Sequence, residues 1–146
     1  MHVSLRALVV GAALLAGAGF LAGRAVEVPA VHAQAAQRVF ELRTYTAPPG
    51  KLENLHARFR NHTLRIFERH GMTNIGYWRP QDDPLKQDTL IYLIAHPSRE
   101  AAAANWKAFQ SDPEWQKVSA DSQVDGRIVS RVQSVFLDAA DYSPMK

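Results

Sequence analysis

Beyond residue 35 the chain carries four histidines, His56, His62, His70 and His96. The first three fall on one helical pattern, in steps of six and eight residues. At a rise of 1.5 Å per residue these steps put neighbours roughly 9 to 12 Å apart along the axis. Zinc–nitrogen bonds are only about 2 Å long, so no two of these histidines can share an ion. H-E-x-x-H is absent as well, and no metal site is expected. His62 stands alone between Phe59 and Ile66. A single histidine there could serve as an axial ligand or a general base. It could equally be a hydrogen-bonded histidine at the margin of the core.

The second group with chemical potential is aromatic: Tyr77, Trp78, Tyr92, Trp106, Phe109 and Trp115. Such residues line pockets for flat apolar ligands, and they also fill the cores of small domains. His62, Trp78, Tyr92 and Trp106 are the residues assigned to a ligand. The third group is charged. Glu41, Arg43 and Arg131 could form a buried network, structural or catalytic. Nothing nucleophilic lies near them: the chain has no cysteine and no G-x-S-x-G. No catalytic residue is therefore assigned. No glycine-rich loop opens a helix to cradle phosphate.

The elements that must hold these groups are legible from periodicity. Val39–Tyr45 reads as a strand, broken by Pro48-Pro49-Gly50. Alternation puts Phe40, Leu42 and Thr44 on one face and Val39, Glu41, Arg43 and Tyr45 on the other. Lys51–His70 reads as a long helix with Gly50 as N-cap and a core stripe of Leu52, Leu55, Phe59, Ile66 and Phe67. Arg58, Arg60, Arg65 and Arg69 lie mostly off that stripe, and Gly71 suits a left-handed cap. Thr73–Trp78 is extended. Thr89–His96 is almost wholly apolar, as in a strand covered on both faces. Ser98 caps a second helix, and Asp112-Pro113 starts a further turn. Ile128–Leu137 alternates and is the last strand. The order β-α-β-β-α-β is the α+β, ferredoxin-like arrangement: an antiparallel sheet with two main helices on one face. RNA-recognition domains share this topology but carry basic and aromatic residues on the third strand. Leu90–His96 has no Lys or Arg and one aromatic residue, which excludes nucleic acid.

Composition divides the chain. Residues 1–6 are short and basic, and residues 7–23 are uncharged. Sites of the A-x-A kind follow, with Ala33-Gln34-Ala35 the best fit. This is the plan of a secretory signal over residues 1–35, ahead of a domain over 36–146. The alternative is a membrane anchor at residues 7–23, a little short of the ~20 residues that span a bilayer. The expected location is periplasmic or secreted, with membrane contact only if the segment is kept. Removal of Arg6, Arg24 and Glu27 takes the 17 basic and 14 acidic residues to 15 and 13. So slight an excess is no basic face built for phosphate. About 110 residues bury only a modest core, and without cysteine no disulfide can brace it. A subunit partner is a natural further source of buried area.

Phe40-Glu41-Leu42-Arg43-Thr44-Tyr45, Pro49-Gly50-Lys51-Leu52, His70-Gly71 and Ile75-Gly76-Tyr77-Trp78 resemble the NIPSNAP family. Trp106-Lys107-Ala108-Phe109 and Asp112-Pro113-Glu114-Trp115 extend the resemblance across Val39 to Phe136. It implies a dimeric α/β barrel, in which two sheets face each other and the helices lie outside. Glu41, Arg43 and Tyr45 would then point at the partner sheet, where Arg131 and Gln133 meet them. The expected partners are a second copy of the chain and a small apolar molecule or a partner protein. No cofactor is expected. Related dimeric-barrel families place a cleft between helix and sheet, and some bind haem there or oxidise aromatic substrates without a cofactor. His62 in that cleft would make a cofactor-independent or haem-linked monooxygenase the alternative.

Overall fold

The computed structural model describes residues 38–146. The export segment expected over residues 1–35, with its anchor alternative, lies outside the described residues. Four strands, β1 (Val39–Thr46), β2 (Thr73–Trp78), β3 (Thr89–His96) and β4 (Arg131–Leu137), form one antiparallel sheet in the order β2-β3-β1-β4. β1 and β2 both run antiparallel to β3, so they are parallel to each other with β3 between them. This is the ferredoxin-like βαββαβ topology expected from the sequence. Among the described residues no helix is long and apolar enough to cross a membrane.

The long helix connecting β1 to β2 has three parts: α1 (Leu52–Arg58), a π-helical turn (Phe59–Thr63) and α2 (Leu64–Arg69). The expected stripe of Leu52, Leu55, Phe59, Ile66 and Phe67 is buried throughout. Burying a side chain of this size stabilises by about 1.5–3 kcal/mol relative to exposure. Lys51, not Gly50, occupies the N-cap and makes no side-chain cap bond. The other end closes as expected. Gly71 has φ 75°, its N–H donates to Glu68 O, and the Met72 N–H donates to Phe67 O. That is a Schellman cap, which needs a left-handed residue.

In the second half, Ser98 Oγ accepts from the Ala101 N–H at the start of α3 (Arg99–Ser111). Asp112 Oδ1 accepts from the N–H groups of Glu114 and Trp115 at the start of α4 (Pro113–Asp121). Its other oxygen takes Arg69 Nη2 and His70 Nε2, each at 2.6 Å. One carboxylate thus caps α4 and ties it to the end of the long helix. The core between sheet and helices is an aromatic cluster in which Tyr92 touches Tyr45, Phe59, Phe67 and Tyr77.

The two faces of β1 are assigned the opposite way from the sequence expectation. Tyr45 packs edge-on against Phe59 of the long helix, with ring centroids 5.8 Å apart, and Glu41 accepts from Trp106 of α3. Glu41, Arg43 and Tyr45 therefore lie beneath the helices. Phe40, Leu42 and Thr44 lie on the other face, free of helices among the described residues, beside Leu137, Val135 and Gln133 of β4. Arg131 pairs with Thr46 on that second face and does not join Glu41 and Arg43. The physical reason is that α3, β3 and β4 supply enough donors to bury a charged cluster. An apolar set needs none and can wait for a second surface.

Candidate functional site

Glu41 is 1% exposed and sits at the centre of the polar cluster. Its Oε1 accepts from Arg43 Nη1 at 2.6 Å and from Ser134 Oγ at 2.6 Å. Its Oε2 accepts from Trp106 Nε1 at 2.7 Å and from His96 Nε2 at 3.1 Å. The Asn105 amide reaches the far nitrogen of His96 at 3.5 Å and also donates to Gly71 O at 3.1 Å. The Arg43 guanidinium lies 4.2 Å from the Trp106 ring centroid, a cation–π contact. Burial by itself raises the Glu41 pKa. Hydrogen bonds from His96, Ser134 and Trp106, with the Arg43 charge, outweigh it and bring the value down to about 2. A carboxylate held by four donors at that pKa is a poor proton acceptor at neutral pH. The cluster fastens α3 to three strands; it is not acid–base machinery.

The four residues assigned to a ligand from sequence do not meet. Tyr92 is in the core, fully buried. Trp106 is engaged with Glu41 and Arg43. Trp78 pairs with Ile91 on the helix-free face, half-exposed, with its ring over Gly76. His62 is exposed on the outer side of the long helix and lines a groove against α4. It does not enter the helix–sheet cleft as expected. The π turn over Phe59–Thr63 is the cause: it widens the helix by a residue and turns His62 off the buried stripe. Asn54, Asn61, Asp121 and Ser122 interrupt the apolar surface that Ala57 and Val118 give the groove beside His62. Such a lining does not fit a haem plane, which needs apolar walls. Among the described residues no three His, Asp or Glu side chains come together as a metal site.

The helix–sheet cleft does exist, with another histidine in it. His56, Phe59, Leu64, Tyr77 and Leu90 line a space of about 220 Å³. His56 Nε2 is buried there without a hydrogen-bond partner. Burial, helped by the Arg79 charge, holds the imidazole below the ordinary histidine range. The end of the helix–sheet layer nearer α3 is closed, because Phe109 is buried and Trp106 packs edge-on against Phe67 and Phe109.

An apolar hollow lies on the opposite face. Phe40, Leu93 and Leu137 form its floor, and the tail residues Tyr142, Pro144 and Met145 overhang it, enclosing about 370 Å³. Around it the helix-free face shows Trp78, Val135 and Leu137 at 50%, 54% and 40% exposure, with Leu42, Ile91 and Leu93 half-buried between them. Sequence reasoning missed this face. Its signal was the third strand, read as covered on both sides although the described helices lie on one.

No curated protein matches the chain. Among solved structures it is similar to a NIPSNAP-like domain protein from Burkholderia xenovorans: 21% identity, 75% of this chain and 90% of that one, TM-score 0.64. A NIPSNAP family protein of unknown function from Agrobacterium tumefaciens gives 18% identity, 76% and 96% coverage, and TM-score 0.66. SnoaB, a cofactor-independent oxygenase from Streptomyces nogalater, gives 14% identity, 75% and 99% coverage, and TM-score 0.52. Identities this low show a shared α+β fold and nothing of activity. The family model is more specific: NIPSNAP matches residues 40–144, from the strand that carries Glu41 and Arg43 to the tail over the helix-free face. The chain belongs to the NIPSNAP family.

Proposed function

We propose that this NIPSNAP domain acts as a homodimer, paired through its helix-free sheet face, and holds a small apolar molecule between the two sheets. One observation carries the reading: an apolar face that crosses all four strands and that none of the described helices covers. Exposed apolar patches of this kind mark association surfaces. Packing a second sheet on this one, about 10 Å away, would bury Leu42, Trp78, Leu93 and Val135 on both copies by a two-fold axis. The hollow at Phe40 and Leu137 falls within the size range of ligand pockets, roughly 300–1,000 Å³, and the helix–sheet cleft falls below it. The basic start and uncharged run of residues 1–23 support a setting outside the cytoplasm, reached by export.

Light scattering on the purified protein tests the pairing. We expect twice the chain mass for the wild type. For Val135→Lys we expect the single mass with unchanged circular dichroism, because a lysine within the seam would be buried without a partner. A wild-type monomer would sink the proposal. Native mass spectrometry of the dimer would reveal a retained apolar molecule.

His56 favours a second reading, cofactor-independent oxygenation in the helix–sheet cleft. The cleft has room for a single ring, since a cavity of about 150 Å³ holds benzene. The free imidazole nitrogen could take the proton of a phenolic hydroxyl, leaving an electron-rich ring for dioxygen. Oxygen uptake with a hydroquinone should then exceed the protein-free rate and fall by about 10²-fold or more in His56→Phe. Uptake equal in the variant and the wild type would remove this reading.

A further inference from the structure

The guanidinium of Arg58 is buried without a carboxylate. The residue is 6% exposed, and its Nε has no hydrogen-bond partner. Its Nη1 donates to Ser122 Oγ at 3.4 Å, and its carbon Cζ lies 5.2 Å from the Trp115 ring centroid. Arg43, the other deeply placed arginine, has Glu41; Arg58 has no acidic side chain within salt-bridge distance among the described residues. Leaving a desolvated cation unpaired is unfavourable, and native structures meet that need with an anion or a dense set of acceptors.

Arg58 lines the groove of about 300 Å³ between the long helix and α4. Asn54, Asn61, His62 and Ser122 surround it, and Ala57 and Val118 supply apolar surface. Asp121 lines the same groove but is engaged by Lys117 Nζ at 2.6 Å. The π turn begins at the residue after Arg58, and Thr63 Oγ1 donates to Arg58 O at 3.2 Å within it. The widened turn is also what brings Asn61 and His62 to the groove, and π turns recur at functional sites.

We propose that this groove binds a short-chain aliphatic carboxylate, with its head group paired to Arg58 and its chain against Ala57 and Val118. The planar guanidinium matches a carboxylate in two-point geometry. One fixed positive charge balances one negative charge, whereas a phosphate dianion would call for more cations than the groove offers. The amides of Asn54 and Asn61 are further donors, whereas Ser122 Oγ donates to Ser119 O and accepts from Arg58. The groove lies in the helical layer, away from the sheet face, so this site is independent of pairing and of any ligand held between sheets.

Isothermal calorimetry with butyrate, at constant ionic strength set by chloride, tests the site. Saturable binding is expected in the wild type, weakened at least tenfold in Arg58→Met, which keeps an unbranched stem and removes the charge. Asn61→Ala, a change at an exposed amide of the groove, should weaken binding without disturbing the fold and serves if Arg58→Met does not fold. No saturable heat with butyrate in the wild type would overturn the proposal. So would equal affinity in folded Arg58→Met, or in Asn61→Ala, or tighter binding of inorganic phosphate than of butyrate.

Discussion

Replacement of Glu41 by alanine is expected to destabilise the domain by about 3–5 kcal/mol, the range for removing one partner of a buried ion pair. The loss has two parts. Arg43 keeps its charge, with its side chain 15% exposed, and loses the carboxylate at 2.6 Å. Trp106 and His96 keep buried N–H donors with nothing to accept them, and an unmet buried donor costs about 1–3 kcal/mol. Arg43→Met in the same background should restore part of the loss, because it removes the stranded charge. Urea denaturation of the four proteins in a double-mutant cycle should give a coupling of about 1–3 kcal/mol. A Glu41→Ala protein within about 1 kcal/mol of the wild type would mean that solvent reaches Arg43 and the cluster fastens nothing.

Acid should produce the second large effect through the same carboxylate. The pKa of Glu41 falls from 4.5 to about 2 on folding. Its folded value is the lower one, so its contribution is fully present above pH 4.5 and is lost as pH falls from there through 2. The difference of about 2.5 units corresponds to about 3 kcal/mol, at about 1.36 kcal/mol per unit. Asp112 adds in the same direction. Its hydrogen bond to His70 lowers its pKa first, desolvation opposes, and Arg69 and the N–H groups of Trp115 and Glu114 lower it further. Stability measured by urea at a series of pH values should therefore drop between pH 4.5 and 2. In Glu41→Gln that drop should shrink by most of Glu41's share. A wild-type stability that stayed level across this window would show that the carboxylate is not held by its four donors.

Local rules read the elements correctly because the groups that set them are neighbours in the chain. Ser98 reaches an N–H three residues on. Asp112 and Pro113 open α4 through contacts two and three residues on. Gly71 takes the positive φ that the end of its helix demands. The alternation of β1 likewise sorted its residues into the right two sets, and from these the topology and the family resemblance were legible.

Which set lies beneath the helices was a tertiary matter. A period of two separates faces without saying what covers either. Glu41 can go under the helices only because His96, Trp106 and Ser134 arrive from 55, 65 and 93 residues away to satisfy it. No local pattern encodes those meetings. The π turn is the same case on a smaller scale. A regular helical wheel keeps His62 near the buried stripe, and one widened turn sends it to the outer groove with Arg58. The sequence by itself thus determined the strands and helices, their order and every expected cap but Gly50, which depend on bonds within a few residues. The folded chain alone decided which side chains meet, because satisfying a buried charge depends on atoms brought together from distant parts of the sequence.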